Sequence, residues 1–258
     1  MSNETAALSI LQAKGLLLEQ AEVNVVREVP LTIYYNDEEV ATLMCSPYQT
    51  EELAYGFLHN EGFIQVPEDV YNIRQDPSGE MIWVEGKPFN MQEEQMSKRF
   101  IGKSRASCRS DNNEPKVKPL TSAACISLKE AYGYVDYLQT KDALVYDLTR
   151  GNHSGGVGYQ GKVVLMSRDI GRHNVFDKLS GSAFRAGINL EDHVVFFSGR
   201  VYSEFLLKIA KMKTPILIAR GAPTDMSLTQ AVALNITVIG LATDKSLNVY
   251  TCPERIVP

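Results

Sequence analysis

The chain has 258 residues, enough for one large domain or two modest ones with a substantial core. Its 44% hydrophobic and 22% charged residues are those of an ordinary globular protein, and a formal net charge of -5 argues against broad nucleic-acid binding. No apolar run approaches the ~20 residues that span a membrane, and the opening MSNETAALSILQAKG shows neither a basic leader nor a small-residue cleavage site. A cytoplasmic protein without membrane contact is expected.

Residues 1 to 20 carry a weak helical pattern. Glu28 to Ser46, EVPLTIYYNDEEVATLMCS, reads as a hairpin in which Leu31, Ile33 and Tyr35 alternate with outward residues and Asn36-Asp37 makes the turn. Thr50 is the expected N-cap of a helix with Glu51 and Glu52 in its favourable first turn. That helix should bury Leu53, Ala54, Phe57 and Leu58 and stop at Gly62. Tyr71 to Trp83 predicts a second strand pair, turned at Asp76-Pro77-Ser78-Gly79. The first third is therefore small α+β.

Lys98 to Pro119, KRFIGKSRASCRSDNNEPKVKP, has no apolar period and reads as a long loop. Lys98, Arg99, Lys103, Arg105 and Arg109 make it basic, and it holds Cys108. It is the expected boundary between a small domain over 20–115 and an α/β domain over 116–258. Ser127-Leu-Lys-Glu130 is a capping box, opening a helix with Leu128, Ala131, Tyr132, Val135 and Leu138 on one face. Gly151 to Gly156 reads as a glycine-rich turn. Val163 to Met166 then suits a buried strand, followed by a helix with Phe176, Leu179, Ala183 and Phe184 on one side and Gly187 as its stop. From His193 onward, strands alternate with helices of about ten residues, which predicts βαβ units and a largely parallel sheet covered on both faces.

Charges crowd the carboxyl ends of these strands. Arg168, Asp169, Arg172, His173 and Asp177 surround Gly171. Ser198-Gly199-Arg200, Arg220 to Thr224 and the Lys245-bearing LATDKS follow the next three strands. Open α/β sheets bind ligands at that edge, and arginines beside helix N-termini suit a phosphate-bearing anion, although βα turns need small residues in any case. His173 is open to three roles: general base, metal ligand or hydrogen-bonding residue, with Asp169 as a partner for its imidazole. His153 is a stronger functional candidate, because a glycine-rich turn offers little reason to bury an imidazole; His59 and His193 read as structural. Cys45, Cys108, Cys125 and Cys252 form no C-x-x-C pair, so no metal site is expected and the thiols should be free. Burial as small hydrophobes is the plain expectation for them. Cys108 differs in having Arg105 and Arg109 beside it, since nearby cations favour the thiolate.

SRDIGRHNVFDKLSG, FFSGRVYSEFLLKIAK, GAPTDMSLTQAVALNITVIGLA and VYTCPERI, together with PLTIYYNDEEVATLMCSP and EELAYGFLHNEG, resemble the FdhD/NarQ family of formate dehydrogenase accessory proteins. The resemblance spans about Val26 to Ile256. It implies a cytidine-deaminase-like C-terminal domain, a small N-terminal domain and a homodimer. It also implies a sulfurtransferase that takes persulfide sulfur from a cysteine desulfurase and passes it to bis(molybdopterin guanine dinucleotide) molybdenum cofactor for formate dehydrogenase. By motif, the cofactor-binding segment falls on Leu241, Ala242, Thr243, Asp244, Lys245 and Ser246, to which the rim reading adds Arg172, His173, Ser198 and Arg200. The family's nucleophile sits in a short Cys-Gly motif in the loop after the small domain. Aligning Gly-Lys-Ser-Arg puts Ile101 there, and a short deletion accounts for the loop equally well. Cys108 is then either a relocated nucleophile or a bystander in a cofactor-binding chaperone that has lost the chemistry. A zinc deaminase is a third reading, but His59-Asn-Glu61 supplies half of that signature and the Pro-Cys-x-x-Cys half is absent.

Overall fold

The computed structural model describes residues 4–89, 117–140 and 149–258. The segment expected to be helical at the start is instead a long hairpin, β1 (Thr5–Lys14) and β2 (Leu17–Val26). Gly15, at φ 63°, takes the first turn position, where a left-handed backbone suits glycine. Ala6, Leu8 and Ile10 face Val25, Val23 and Ala21 across the ladder. That is a period of two, not the helical period expected for this segment.

β3 (Val29–Tyr35) and β4 (Glu38–Cys45) form the expected second hairpin, with Asn36 at φ 49° and Asp37 at φ 66° as a two-residue turn of positive φ. α1 (Thr50–Asn60) follows. Its N-cap is Gln49 rather than Thr50; Thr50 lies inside the helix and its hydroxyl bonds Gln75 instead. β5 (Val70–Gln75) and β6 (Met81–Gly86) complete a four-stranded sheet in the order β4-β3-β6-β5, with β3 and β6 parallel. Leu31, Ile33, Ile82 and Val84 pack there against Leu53, Ala54 and Leu58 of α1.

The second unit opens with β7 (Ile126–Ser127) and α2 (Leu128–Thr140), whose capping box forms as expected, Ser127 N–H to Glu130 at 2.9 Å and Glu130 N–H to Ser127 at 3.2 Å. The buried face of α2 is Ala131, Tyr134, Val135 and Leu138; Leu128 is exposed and Tyr132 only half-buried. β8 (His153–Tyr159) and β9 (Lys162–Asp169) lead to α3 (Arg172–Arg185). β10 (Val194–Phe197), α4 (Ser203–Lys211), β11 (Ile216–Ala219), α5 (Asp225–Ala233) and β12 (Thr237–Gly240) then alternate. β13 (Asn248–Val249) closes the sheet edge, and β14 (Ile256–Val257) pairs with β7.

The glycine-rich turn is thus a strand. Glycine is used in β8 for close approach: a Cβ on Gly156 would stand 2.3 Å from the Phe196 ring, and one on Gly158 2.3 Å from Tyr134. The sheet order is β13-β12-β11-β10-β8-β9. Only β10, β11 and β12 run parallel, so the sheet is mixed rather than largely parallel. Two hairpin-type connections, β8-β9 and β12-β13, put antiparallel strands on both flanks of the parallel centre. Successive residues of the central strands feed opposite layers. Val194, Phe196, Ile216 and Ile218 meet α2, with Tyr134 stacked on Phe196 at 5.1 Å. Val195, Phe197, Leu217 and Ala219 meet α3, α4 and α5. The expected boundary at 115 to 116 lies outside the described residues.

The two sheets are joined by a helix crossing. A Cβ on Gly56 of α1 would stand 1.7 Å from the Asp177 carbonyl oxygen of α3, and one on Gly181 1.9 Å from that of Glu52. Backbone meets backbone there. Asp177, which accepts from Asn60 at 2.7 Å and pairs with Lys208, ties α1, α3 and α4 together at the same crossing.

Candidate functional site

Because β10, β11 and β12 are parallel, their carboxyl ends share one edge. The start of antiparallel β8 and the end of β9 fall on it too. The turns leaving this edge are stitched to one another. Gly221 N–H donates to Gly199 O at 3.0 Å, Leu241 N–H to Gly221 O at 3.2 Å, and Ala242 N–H to Ala219 O at 3.1 Å. Ser198 N–H donates to Ser154 O at 2.9 Å, and the Ser198 hydroxyl accepts from Ser154 N–H at 2.9 Å. Gly221 is required here, since a Cβ would stand 2.6 Å from the backbone of Arg200 and Gly199. Leu241 is held at φ 50°, a strained conformation for a branched residue. Beyond it Thr243 closes the turn by accepting from Ser246 N–H at 3.0 Å and Lys245 N–H at 3.2 Å, leaving Asp244 and Lys245 exposed.

Arg172 and Arg200, far apart in sequence, converge on one ring. Their guanidinium carbons lie 4.6 and 5.4 Å from the centroid of Tyr202. Both are exposed, and neither forms an ion pair among the described residues. Two cations gathered on a neutral ring leave hydrogen-bond donors available to an anion. Tyr202 was not singled out in the sequence; its only signal was an aromatic residue just ahead of a helix.

His173 packs edge-on against Phe205 at 4.9 Å and meets Glu204 at 3.3 Å. Burial, reinforced by Lys208 and Arg172 and opposed by Asp177, lowers its pKa to about 4. Burial likewise raises the carboxyl of Glu204. His153, at the start of β8, lies tilted at 5.7 Å from the Phe197 ring, and burial with Arg172 pushes its pKa down. Both imidazoles are therefore neutral near pH 7.

Asp169 is not the partner of His173. It is fully buried in an ion pair with Lys178 at 2.5 Å, and accepts from Ser46 N–H at 3.1 Å, Gly171 N–H at 2.7 Å and Asn174 at 2.9 Å. Lys178 also donates to the carbonyls of Arg168, at 3.2 Å, and Ser46, at 3.4 Å. This polar knot ties the end of β4 to the β9–α3 turn and so fixes the rim against the first sheet. Arg168 is committed elsewhere, to Glu4 at 2.7 and 2.8 Å and to the face of Tyr48 at 4.4 Å. Beside the knot opens a cleft of about 400 Å³ lined by Val26, Glu28, Met44, Gly151, Ile170 and Gly171.

Cys108, with Arg105, Arg109 and Ile101, lies outside the described residues. Of the other thiols, Cys45 is buried, and desolvation with Asp169 nearby raises its pKa to about 12. Cys125 is exposed rather than a packing residue, and Cys252 is partly buried. His59 is structural, 3.4 Å from the Ser180 hydroxyl and 4.8 Å from the Phe184 ring.

The sequence profile of the FdhD/NarQ family matches residues 26–257. The chain belongs to the FdhD/NarQ family. It is 37% identical over 242 residues to the sulfur carrier protein FdhD of Halalkalibacterium halodurans, covering 92% of this chain and 89% of that one. The Bacillus subtilis sulfur carrier protein FdhD is 36% identical over 243 residues, covering 93% and 92%. A crystal structure from Desulfotalea psychrophila, described as a formate dehydrogenase accessory protein, superposes with a TM-score of 0.80 at 24% identity over 98% of this chain and 99% of that one. The fold is thus that of the solved neighbour over 98% of this chain.

Proposed function

We propose that this chain is a sulfur carrier for formate dehydrogenase maturation. It acts in the cytoplasm as a homodimer, with its second unit read as cytidine-deaminase-like, and carries bis(molybdopterin guanine dinucleotide) molybdenum cofactor as its cargo. The observation behind this reading is the rim, where three interlocked strand-end turns and the paired guanidiniums of Arg172 and Arg200 gather on one edge. The chain is also 36–37% identical to two sulfur carriers. A dinucleotide is a phosphate-rich anion. Arg172 and Arg200 supply fork-shaped donors to it, Ser198 and the Leu241–Ser246 turn supply hydroxyl groups, and Lys245 adds charge. His173, neutral beside Glu204, acts as a hydrogen-bonding wall and adds no charge.

In the carrier step, the Cys108 thiolate attacks the terminal sulfur of a persulfide on a cysteine desulfurase. The desulfurase S–S bond breaks, its cysteine leaves as thiolate, and Cys108 holds the new S–S bond. Arg105 and Arg109 favour the attacking thiolate. Cys45 is unsuited, being buried with its thiol pushed up to about 12.

The test is mass spectrometry of the full chain after incubation with a cysteine desulfurase and cysteine. One added sulfur on Cys108, and none on Cys45 or Cys125, is the expected result. A second reading, a cofactor-binding chaperone without sulfur chemistry, rests on the loop lacking the family's Cys-Gly motif, whether Ile101 stands at that position or a short deletion has removed it. It would be upheld, and the carrier reading overturned, by a protein that binds guanine nucleotide yet gains no sulfur.

A further inference from the structure

The β1–β2 hairpin is an arm with a fixed root and an uncovered length. At the root, Arg168 donates to the buried Glu4 at 2.7 and 2.8 Å, Arg27 N–H donates to Glu4 O at 2.8 Å, and Val26 lies close over Gly151. Beyond it, every residue from Ala7 to Gln20 is exposed, and no other described strand pairs with β1 or β2. A two-stranded ribbon is at best marginally stable alone in water. The ladder sorts its side chains by face. Leu8, Ile10, Leu17 and Val23 share one face with the Lys14–Glu19 ion pair, while Ser9, Gln20, Glu22 and Asn24 share the other with Leu11 and Leu18.

A second uncovered surface lies on the first sheet. α1 takes the inner side, through Leu31, Ile33 and Ile82. On the outer side, Tyr34 stacks on Trp83 at 5.4 Å, the Arg74 guanidinium lies 4.4 Å over the Trp83 ring, and Met81 is 37% exposed. Aromatic, arginine and methionine side chains gathered on an open face have the composition of a protein contact. Only Arg27 and Glu28 join β2 to β3, and the root is locked to Arg168 of the second unit, which holds the arm off the outer face of its own sheet.

We infer that the two faces meet between two copies of this chain, each arm laying Leu8, Ile10, Leu17 and Val23 across Tyr34, Met81 and Trp83 of the partner subunit. Area favours this over arm against arm. β4, the longest strand of the first sheet, has eight residues, so an arm two strands wide overlaps that sheet over about 27 Å by about 10 Å. Two reciprocal arms then bury about 1,100 Å² in all, above the ~1,000 Å² that a specific interface needs, whereas two arms packed on each other bury only about 700 Å². Charge agrees, since Lys14 and Glu19 on the arm would face the exposed Glu39 and Arg74 of the partner subunit. Such an exchange is isologous, as a two-fold dimer requires. It rests on the homodimer proposed above and adds the surfaces that form it.

The experiment is light scattering of the full-length protein over a dilution series, with the emission of Trp83, the one tryptophan of the chain, recorded alongside. Wild type should be a dimer whose Trp83 emission shifts to the red as it dissociates. Leu8→Glu with Val23→Glu, which face each other on one rung, should weaken the dimer about 100-fold or more by burying two charges. The red-shifted emission should then be present already at high concentration. Met81→Glu should do the same from the sheet side, and it serves if the arm variant does not fold. Asn24→Glu, on the polar face, should leave the dimer intact. An arm variant as dimeric as wild type would overturn the inference and leave the homodimer standing. A monomeric arm variant whose Trp83 emission matches that of the wild-type dimer would overturn the pairing with the first sheet. A wild-type protein that is monomeric throughout overturns the homodimer as well, and leaves both faces to a different protein.

Discussion

Gly56→Ala tests how the two sheets are held together. The added Cβ would lie 1.7 Å from the Asp177 carbonyl oxygen, 2.5 Å from its carbon and 2.8 Å from Gly181 N. Ordinary contact begins at 3.4 Å, so α1 and α3 must separate by roughly 1.7 Å. No flexible side chain is present to yield, because both opposing groups are helix backbone. Overpacking of this kind costs ~1–3 kcal/mol, occasionally more, and the crossing is backbone-limited, which places it at about 3 kcal/mol. At ~2–4 °C per kcal/mol for a chain of this size, the melting temperature should fall by about 6–12 °C. Gly133→Ala in α2 is the control. Nothing lies within 4 Å of its added Cβ, and removing a helical glycine stabilises by ~0.5–1 kcal/mol. Thermal denaturation followed by circular dichroism should therefore move in opposite directions for the two variants. A Gly56→Ala protein melting within ~2 °C of wild type would refute the crossing and the magnitude drawn from it.

Lys178→Met leaves Asp169 buried with three N–H donors but no cation, and breaking such a pair should cost ~3–5 kcal/mol by denaturant unfolding. Adding Asp169→Asn should recover most of that loss, whereas a Lys178→Met protein as stable as wild type would show the knot to be idle. His173 gives the acid response a definite sign. The unfolded chain takes up its proton near pH 6.5 while the folded protein resists until about 4. Stability from this group is complete above pH 6.5 and is lost as pH falls from there towards 4, by up to ~3 kcal/mol. Urea midpoints at pH 7.5 and 5 should therefore differ less for His173→Gln than for wild type; equal differences would place His173 in solvent.

The local elements of this fold were mostly legible in the sequence. Asn36-Asp37, the Ser127–Glu130 capping box and Gly187 act through backbone groups a few residues away, so spacing alone reveals them. Errors arose where a distant contact decides what a residue does. Gly155, Gly156 and Gly158 resemble turn residues until Phe196, Met166 and Tyr134 are seen to occupy the space a side chain would fill. Asp169 and His173, four residues apart, invited pairing, yet Lys178 and Glu204 claim them because strand end and helix start point the two side chains apart.

For the candidate site, the division is similar. Sequence marked Arg172, His173, Ser198, Arg200 and Leu241 to Ser246, because each follows a recognisable strand and precedes a turn or helix. It also placed Cys108 between two arginines. Tyr202 as the ring beneath both guanidiniums and the strained Leu241 could come only from the folded chain. Motifs and periodicity express interactions along the backbone. Convergence of cations on one ring depends on which strands the sheet sets side by side.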